Sequence, residues 1–450
     1  MDLLTFVIFF LVLGGSIFLH ELGHYVAARL AGIEVEEFGF GLPPRMLRFW
    51  RISGTIQVGN QEFVLPTNFE LPFEREDGLG RGLDVVATRV DDKLVAKSVA
   101  YAASEDGQFR PTYPQLTTGT DGLIRFSGVA KKISPGTEFT LNWLPLGGFV
   151  RPRGENDPNV LDGLSAANPW KRLGVLFAGP LMNLLTAVVV FALIISMSGV
   201  AVDGPVTITS VSAGSPAHWA GFEPGDVIRS INGQEIQQST LARQIIFDNL
   251  GIPVDFVVLR NGQEVNINVT PSTTRTQQQG ALGIGMESST RPATFGESVM
   301  GGFTLTGLQA VTVLSIPVLL IQNAIEPELA RPVGLVGMFG MFSQAVERDT
   351  ETRQQAAEAV SAGEEAPMPS NYTLYLLASL SISLGVFNLL PIPALDGGRI
   401  LFTLPEILFR RRIPYRLENI VNGAAFLLLI GLMIFVNLMD IFNPANITLP

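Results

Sequence analysis

His20-Glu21-Leu22-Gly23-His24 closes an apolar run, residues 3–19, that carries no charge. On a helix, positions i and i+4 share a face, so both imidazoles can reach one metal ion. The glutamate between them stands where it can activate a water at that metal. The chain has three histidines, and two of them are here. A carboxylate and two imidazoles at bilayer depth are costly, so their presence calls for a functional explanation. On a soluble helix the same five residues would be an ordinary solvated face. A lipid-facing His-Glu-His would be strongly disfavoured, which weighs against that reading here.

Composition widens the argument from this run to the whole chain. Of 450 residues 47% are hydrophobic and 16% are charged, well below the roughly 25% charge usual for soluble domains. The chain therefore reads as a membrane protein with polar insertions. A net charge of −11 makes nucleic acid an unsuitable partner. With no cysteine, disulfides and thiolate metal sites are excluded, and nitrogen and oxygen ligands suit zinc in a catalytic mode. The start, Met1-Asp2, has no basic n-region, so the first apolar run reads as a retained span rather than a signal peptide.

Uncharged windows long enough to cross a bilayer occur at 3–19, 173–202, 298–325, 366–395 and 419–439. Arg45, Arg48 and Arg51 follow the first, Lys171 and Arg172 precede the second, and Arg399, Arg410, Arg411, Arg412 and Arg416 crowd the loop before the last. The positive-inside rule then makes 32–172 and 399–418 cytoplasmic and 203–297 extracytoplasmic. If 298–325 also crossed, the arginines after Asp396 would face the wrong side. That window contains Gln309, Pro317, Gln322 and Asn323. The expectation is an α-helical polytopic membrane protein with four spans and one additional interfacial or re-entrant segment. It carries an inserted β-rich cytoplasmic region and an extracytoplasmic β domain. The divisions are 1–31 for the first span, 32–171 for a membrane-associated β segment with an insertion at about 52–132, and 172–202 for the second span. They continue as 203–290 for the outer domain, 291–365 for the interfacial helix and loop, 366–398 for the third span, 399–418 for a cytoplasmic loop and 419–440 for the fourth span. The acidic, Gln/Ala-rich stretch 345–365 reads as a flexible or helical connector.

The window 366–398 ends in Phe387-Asn388-Leu389-Leu390-Pro391-Ile392-Pro393-Ala394-Leu395-Asp396-Gly397-Gly398. Two prolines two apart interrupt a helix, and unwound backbone at that depth must be buried or line a cavity. Asp396 is suited to be a third ligand beside two histidines, with a fourth position left for water. Pro, Asp and Gly also make plain helix ends. Parity favours the ligand, since the histidine face and Asp396 both fall in the cytoplasmic half.

Together, His20-Glu21-Leu22-Gly23-His24 in a first span and Asn388…Pro391-Ile392-Pro393…Leu395-Asp396-Gly397 resemble the site-2 protease family of intramembrane zinc metalloproteases, in its bacterial regulator-of-sigma-factor protease branch. Gly39-Phe40-Gly41-Leu42-Pro43-Pro44-Arg45 looks like the family's strand after the first span. Residues 136–150 look like its return strand, and Ala178-Gly179-Pro180-Leu181-Met182-Asn183 like the opening of its second span. The resemblance implies zinc ligands at His20, His24 and Asp396, a general base at Glu21 and a substrate contact at Asn388. It also implies substrates that are single-span membrane proteins, such as anti-sigma factors or remnant signal peptides, cleaved within the bilayer of the cell membrane.

Residues 34–41 and 137–150 read as a β-hairpin-like unit beside the membrane, suited to straightening a substrate by strand addition. The insertion at about 52–132 departs from the family pattern, and the runs 61–65 and 84–88 make it a small β-rich subdomain. Between 204 and 271, Ser215-Pro216-Ala217, Gly225-Asp226-Val227 and the turn Asn261-Gly262 between strands 254–260 and 264–269 resemble a PDZ domain, which offers peptide or substrate contact. His218 lies in that block and reads as a surface residue rather than a ligand. Two alternatives to the protease stay open: an inactive homologue that binds membrane proteins, and an intramembrane metal-ion carrier.

Overall fold

The computed structural model describes residues 3–102, 104–105, 108–155, 157–160, 162–273, 280–322, 331–362 and 370–443. Asn323, residues 324–330 and 363–365 of the expected 291–365 helix and loop, and the first residues of the 366–398 window lie outside the described residues.

The apolar N-terminal run is one helix, α1 (Leu3–Leu30), ended by Gly32 in the left-handed region, φ 76°. The long strand β1 (Val35–Arg51) follows. The insertion holds β2 (Gly54–Val58), β3 (Gln61–Leu65), the single turn α2 (Arg75–Gly78), β4 (Gly82–Val90), β5 (Lys93–Tyr101), the short β6 (Ser104–Glu105), β7 (Gln108–Phe109) and β8 (Thr117–Thr118), and β9 (Ile124–Ser134). The chain then returns through β10 (Glu138–Pro152) into α3 (Pro169–Ser198). Next come β11 (Val200–Val211), α4 (Pro216–Ala220), β12 (Val227–Ile231), β13 (Gln234–Glu235), α5 (Ser239–Asp248), β14 (Val254–Arg260), β15 (Gln263–Val269) and β16 (Ile284–Arg291). Among the described residues five helices follow: α6 (Phe295–Ile321), α7 (Leu335–Ala362), α8 (Tyr372–Leu389), α9 (Asp396–Phe409) and α10 (Tyr415–Phe442). Among the described residues α1, α3, α6, α8 and α10 are long and apolar enough to cross a membrane.

Several ends differ from the sequence expectation. The second long helix stops at Ser198, because Gly199 takes φ 76° and its N–H bonds Ile195 O. Residues 200–202, expected in the span, therefore open a strand. The strand expected over 34–41 is the first arm of β1: residues 37–40 pair on one side with 148–151 and on the other with 138–141 of β10, and a second arm, 45–51, pairs with 138–142. Asp396 to Gly398, expected at the end of the third span, start a new helix. The stretch 345–362 is helical, within α7.

The chain forms two compact units, and four of the five long apolar helices contribute residues to both. One unit comprises Phe10–Thr186 and Ser383–Ile430. Here β1 and β10 pair antiparallel. The insertion is a barrel: the order β2-β3-β5-β4-β9 closes through a β2–β9 pairing, with β3 and β5 parallel. Period-two burial drives it. In β4 and β5 the inward positions Leu83, Val85, Ala87, Leu94 and Ala96 join Ile56, Phe63 and Ile133 in one core. Polar contacts fasten the barrel to β1 and its approach: Arg75 to Glu34 at 2.8 Å, Ser134 Oγ to Glu34 Oε1 at 2.5 Å, and Arg51 N to Asn68 Oδ1 at 2.7 Å.

The other unit comprises Met1–Phe9, Ala187–Ile382 and Gly431–Pro450. Its sheet runs β15-β14-β12-β11-β16, with β13 on β12 and a core that includes Ile208, Ile228, Ile231, Phe256 and Val258. Asn261 and Gly262 both take positive φ (49° and 82°), the turn that a two-residue hairpin requires. Asp226 is fully buried. Burial pushes its carboxyl up, but Arg260, donating to both oxygens at 2.7 Å, and the Glu223 N–H at 3.0 Å outweigh that and hold it below the usual carboxylate range. Asp226→Ala is expected to cost the block about 3 kcal/mol by removing the buried carboxylate that holds Arg260 Nε and Nη2, which leaves Arg260 only Glu223 and Gly221 O. The check is faster hydrogen exchange at β12 and β14 in the whole protein. Because the folded pKa is depressed, this contribution is complete above the unfolded carboxylate value of about 3.9 and is lost as pH falls through Asp226's own lower value.

In the same unit α6 begins with a capping box, Thr294 with Glu297. Gly302 of α6 abuts α3, where an added Cβ would stand 2.5 Å from Val188 O. Gln309 donates to Ser379 of α8 at 2.7 Å, and Phe191 of α3 meets Tyr375 of α8 at 5.8 Å. Asp440 of α10 accepts from Gly334 N and Gly337 N at 2.7 and 3.1 Å, so it caps α7 from another helix. Asp349 of α7 does the same for α8 through Tyr372 N and Thr373 N.

Candidate metal centre

Helical spacing on α1 puts His20 and His24 one turn apart, with Glu21 beside them. Pro391 and Pro393 end α8 and let the chain turn back. Ala394 takes φ 75°, which a side chain rarely adopts, and its N–H is held by Asn422 Oδ1 of α10 at 3.1 Å. That turn delivers Asp396 to the histidines at the start of α9. His20 Nε2 lies 3.1 Å and His24 Nε2 3.3 Å from Asp396 Oδ2, and the two Nε2 atoms are 3.2 Å apart. Three ligands about 2.0–2.1 Å from a tetrahedral zinc stand about 3.3 Å from one another. The triangle therefore fits one face of a zinc site. His20, His24 and Asp396 are the metal-ligating cluster found among the described residues, and His218 is not part of it.

The far side of each ring supports the fit. His24 Nδ1 donates to Val175 O of α3 at 2.8 Å, which leaves the Nε2 lone pair for a metal. His20 Nδ1 faces the Asn183 amide of α3 at 3.1 Å, while Asn183 Oδ1 is buried without a partner. Exchanging the ends of that amide lets Oδ1 accept Nδ1–H from His20 and satisfies both groups. Both imidazoles then present Nε2 to one point. Asn183→Ala is expected to weaken zinc binding by about 10- to 100-fold, measured by competition with a chelator; unchanged affinity would separate Asn183 from the site.

Glu21 stands next to this triangle. Its Oε2 accepts from Val150 N of β10 at 2.9 Å, which ties the carboxylate to the return strand. A cavity of about 350 Å³ is lined by His20, Glu21, His24, Asn388 and Asp396, so the five residues singled out in the sequence meet in one place. Charged Arg151, Glu155 and Arg399 also line it, and Arg399 is paired with Glu155.

Several supporting residues carried no role in the sequence reading. Gly23 and Gly179 let α1 and α3 touch: a Cβ on Gly23 would lie 2.3 Å from Ala178 O, and one on Gly179 would lie 2.3 Å from His24 Nε2. Gly179 and Asn183 fall inside the quoted segment 178–183. Their spacing put them on one helix face, but nothing local pointed them at the histidines.

A family model described as Peptidase family M50 matches residues 8–63 and 124–432. Its interruption falls within the barrel insertion. A protein of Geobacillus kaustophilus named zinc metalloprotease RasP is 29% identical, with 96% of each chain covered. One of the same name from Oceanobacillus iheyensis is 27% identical over 97% of this chain and 98% of its own. A PDZ domain of an SdrC-like protein from Listeria monocytogenes aligns with 19% of this chain and 90% of its own at 22% identity, with a TM-score of 0.17, too low to bear on the fold. The site and these matches define a zinc metalloprotease. The chain belongs to Peptidase family M50, the site-2 protease family.

Proposed function

We propose that this protease cuts peptide bonds inside the membrane-spanning segments of single-span membrane proteins. The observation that supports this most is where the chemistry sits. Glu21, His20 and His24 lie on a 28-residue apolar helix, and Asp396 meets them from the broken end of another. His20, His24 and Asp396 would hold the zinc. When bound there, zinc supplies Lewis-acid polarisation of the scissile carbonyl and a lowered pKa for water. Glu21 is the general base: with Oε2 held by Val150, it takes the proton from water at Oε1 and passes it to the leaving nitrogen. Asn388, at the end of α8 and on the cavity wall, contacts the substrate backbone. Beside it β1 and β10 offer an extended chain a strand to pair with, which would draw a substrate helix straight.

The same reading places the protein in the cell membrane, with the 52–132 insertion cytoplasmic and the PDZ-like 203–290 block outside. Four spans, α1, α3, α8 and α10, carry it, and α6 lies in or near the outer interface. Two observations support this role for α6. It belongs wholly to one unit, whereas the other four helices contribute to both. Gly302 and Gln309, about two turns apart on α6, touch α3 and α8 at nearly the level where Phe191 meets Tyr375, so α6 crosses that pair instead of running alongside it. The outer block acts as a size filter for substrates whose outer domain has been removed, with anti-sigma factors and remnant signal peptides as the substrate classes.

The test is a single-span peptide reconstituted with the purified protein, its products mapped by mass spectrometry. A cut within the apolar segment is expected. Cuts confined to the polar flanks, or an intact peptide with zinc at full occupancy, would reject the reading.

A further inference from the structure

Helix α9 is amphipathic in the inverted sense. Its polar side faces the protein: Arg399 pairs with Glu155, Thr403 accepts from Arg172 Nη2 at 3.3 Å, and Glu406 pairs with Arg172 at 3.0 Å. Its apolar side faces out, with Leu401 46%, Leu408 68% and Phe409 70% exposed. Residues 401, 405, 408 and 409 share one face of a 3.6-residue helix. A water-soluble surface helix is arranged the other way round.

The exposed apolar face runs into a cluster of charge. Arg410, Arg411, Arg412 and Arg416 follow within the next two turns of chain, and all four are exposed. Arg412 donates to Ser165 O at 2.8 Å. Among the described residues no carboxylate stands within ion-pair distance of Arg410, Arg411 or Arg416. Arg410 takes φ 55° at the C-cap of α9, where glycine would fit more easily, so a charged side chain occupies a position that the backbone does not favour for it.

We propose that α9 and the arginines after it form a docking surface for anionic lipid headgroups. An apolar face joined to unpaired arginines matches a layer whose interior is hydrocarbon and whose surface carries negative charge. The apolar helices α8 and α10 on either side bring the segment to that layer. The inference rests on the membrane reading above and adds to it a choice of lipid.

The test uses the whole protein. Because the chain has no cysteine, Leu408→Cys gives a unique site for a bimane label. The labelled protein is reconstituted into phosphatidylcholine vesicles containing tail-brominated phosphatidylglycerol or, at equal mole fraction, tail-brominated phosphatidylcholine. Quenching by the brominated phosphatidylglycerol is expected to be at least about twofold deeper. That preference should disappear in R410G/R411Q/R416Q and, for the unsubstituted arginines, in about 1 M salt. Equal quenching by the two lipids, or a preference that survives both salt and the triple substitution, would overturn the headgroup choice. No quenching by either lipid would overturn the membrane placement of α9 itself. Zinc content at the parent level shows that the triple variant is folded; should it fall, the salt series on the parent decides.

Discussion

Glu21→Gln is expected to keep zinc at the parent level and to lower peptide cleavage by about 100- to 10,000-fold. The amide keeps the shape of the carboxylate and an oxygen that can accept from Val150 N, as Glu21 Oε2 does at 2.9 Å. It also leaves the His20, His24 and Asp396 triangle untouched. What it removes is the ability to take a proton. Zinc content and turnover measured on the same preparation check this. Loss of zinc would make Glu21 a structural group, and retained turnover would move the base elsewhere. The result also separates the protease from its two rivals, since metal transport and passive binding of membrane proteins need no base at this position.

Gly179→Ala should abolish high-affinity zinc binding although Gly179 supplies no ligand. The new Cβ would lie 2.3 Å from His24 Nε2 and 2.8 Å from His24 Cδ2. His24 cannot easily move aside, because its Nδ1 is held by Val175 O on the same helix as Gly179. The clash falls on the nitrogen meant for the metal. Loss of an orienting group costs about 10- to 100-fold in affinity, so displacement of a ligand atom should cost at least about 100-fold. Chelator competition and metal analysis of the purified variant check it. Affinity at the parent level would mean that α1 and α3 can separate without harm to the site.

Both predictions show how far the sequence could be read. The three residues that cluster at the candidate metal centre were legible because their signals are local: a four-residue spacing on an uncharged run, and an acid after two prolines. The length of α1 and the break after Leu389 follow from the same local chemistry. What stayed hidden depends on partners far along the chain. Asn183 and Gly179 meet the histidines only through the packing of α3 on α1, and Val150 reaches Glu21 only when β10 returns. Strands 61–65 and 84–88 were visible as strands, but ring closure rests on β9, more than sixty residues after β2, pairing back to it. The early end of the second long helix turned on Gly199, which a hydropathy window cannot see.

A protease that takes its substrate as a straightened chain has a problem of traffic. Any unpaired strand near the site is a decoy on which such a chain could stick. The insertion of about eighty residues between β1 and β10 adds several strands to the unit that holds the site. Because β2 and β9 pair, its ring has no open side. On the proposed function the β1–β10 pair is where an arriving chain binds edge to edge, and the closed ring of the added domain does not compete for it.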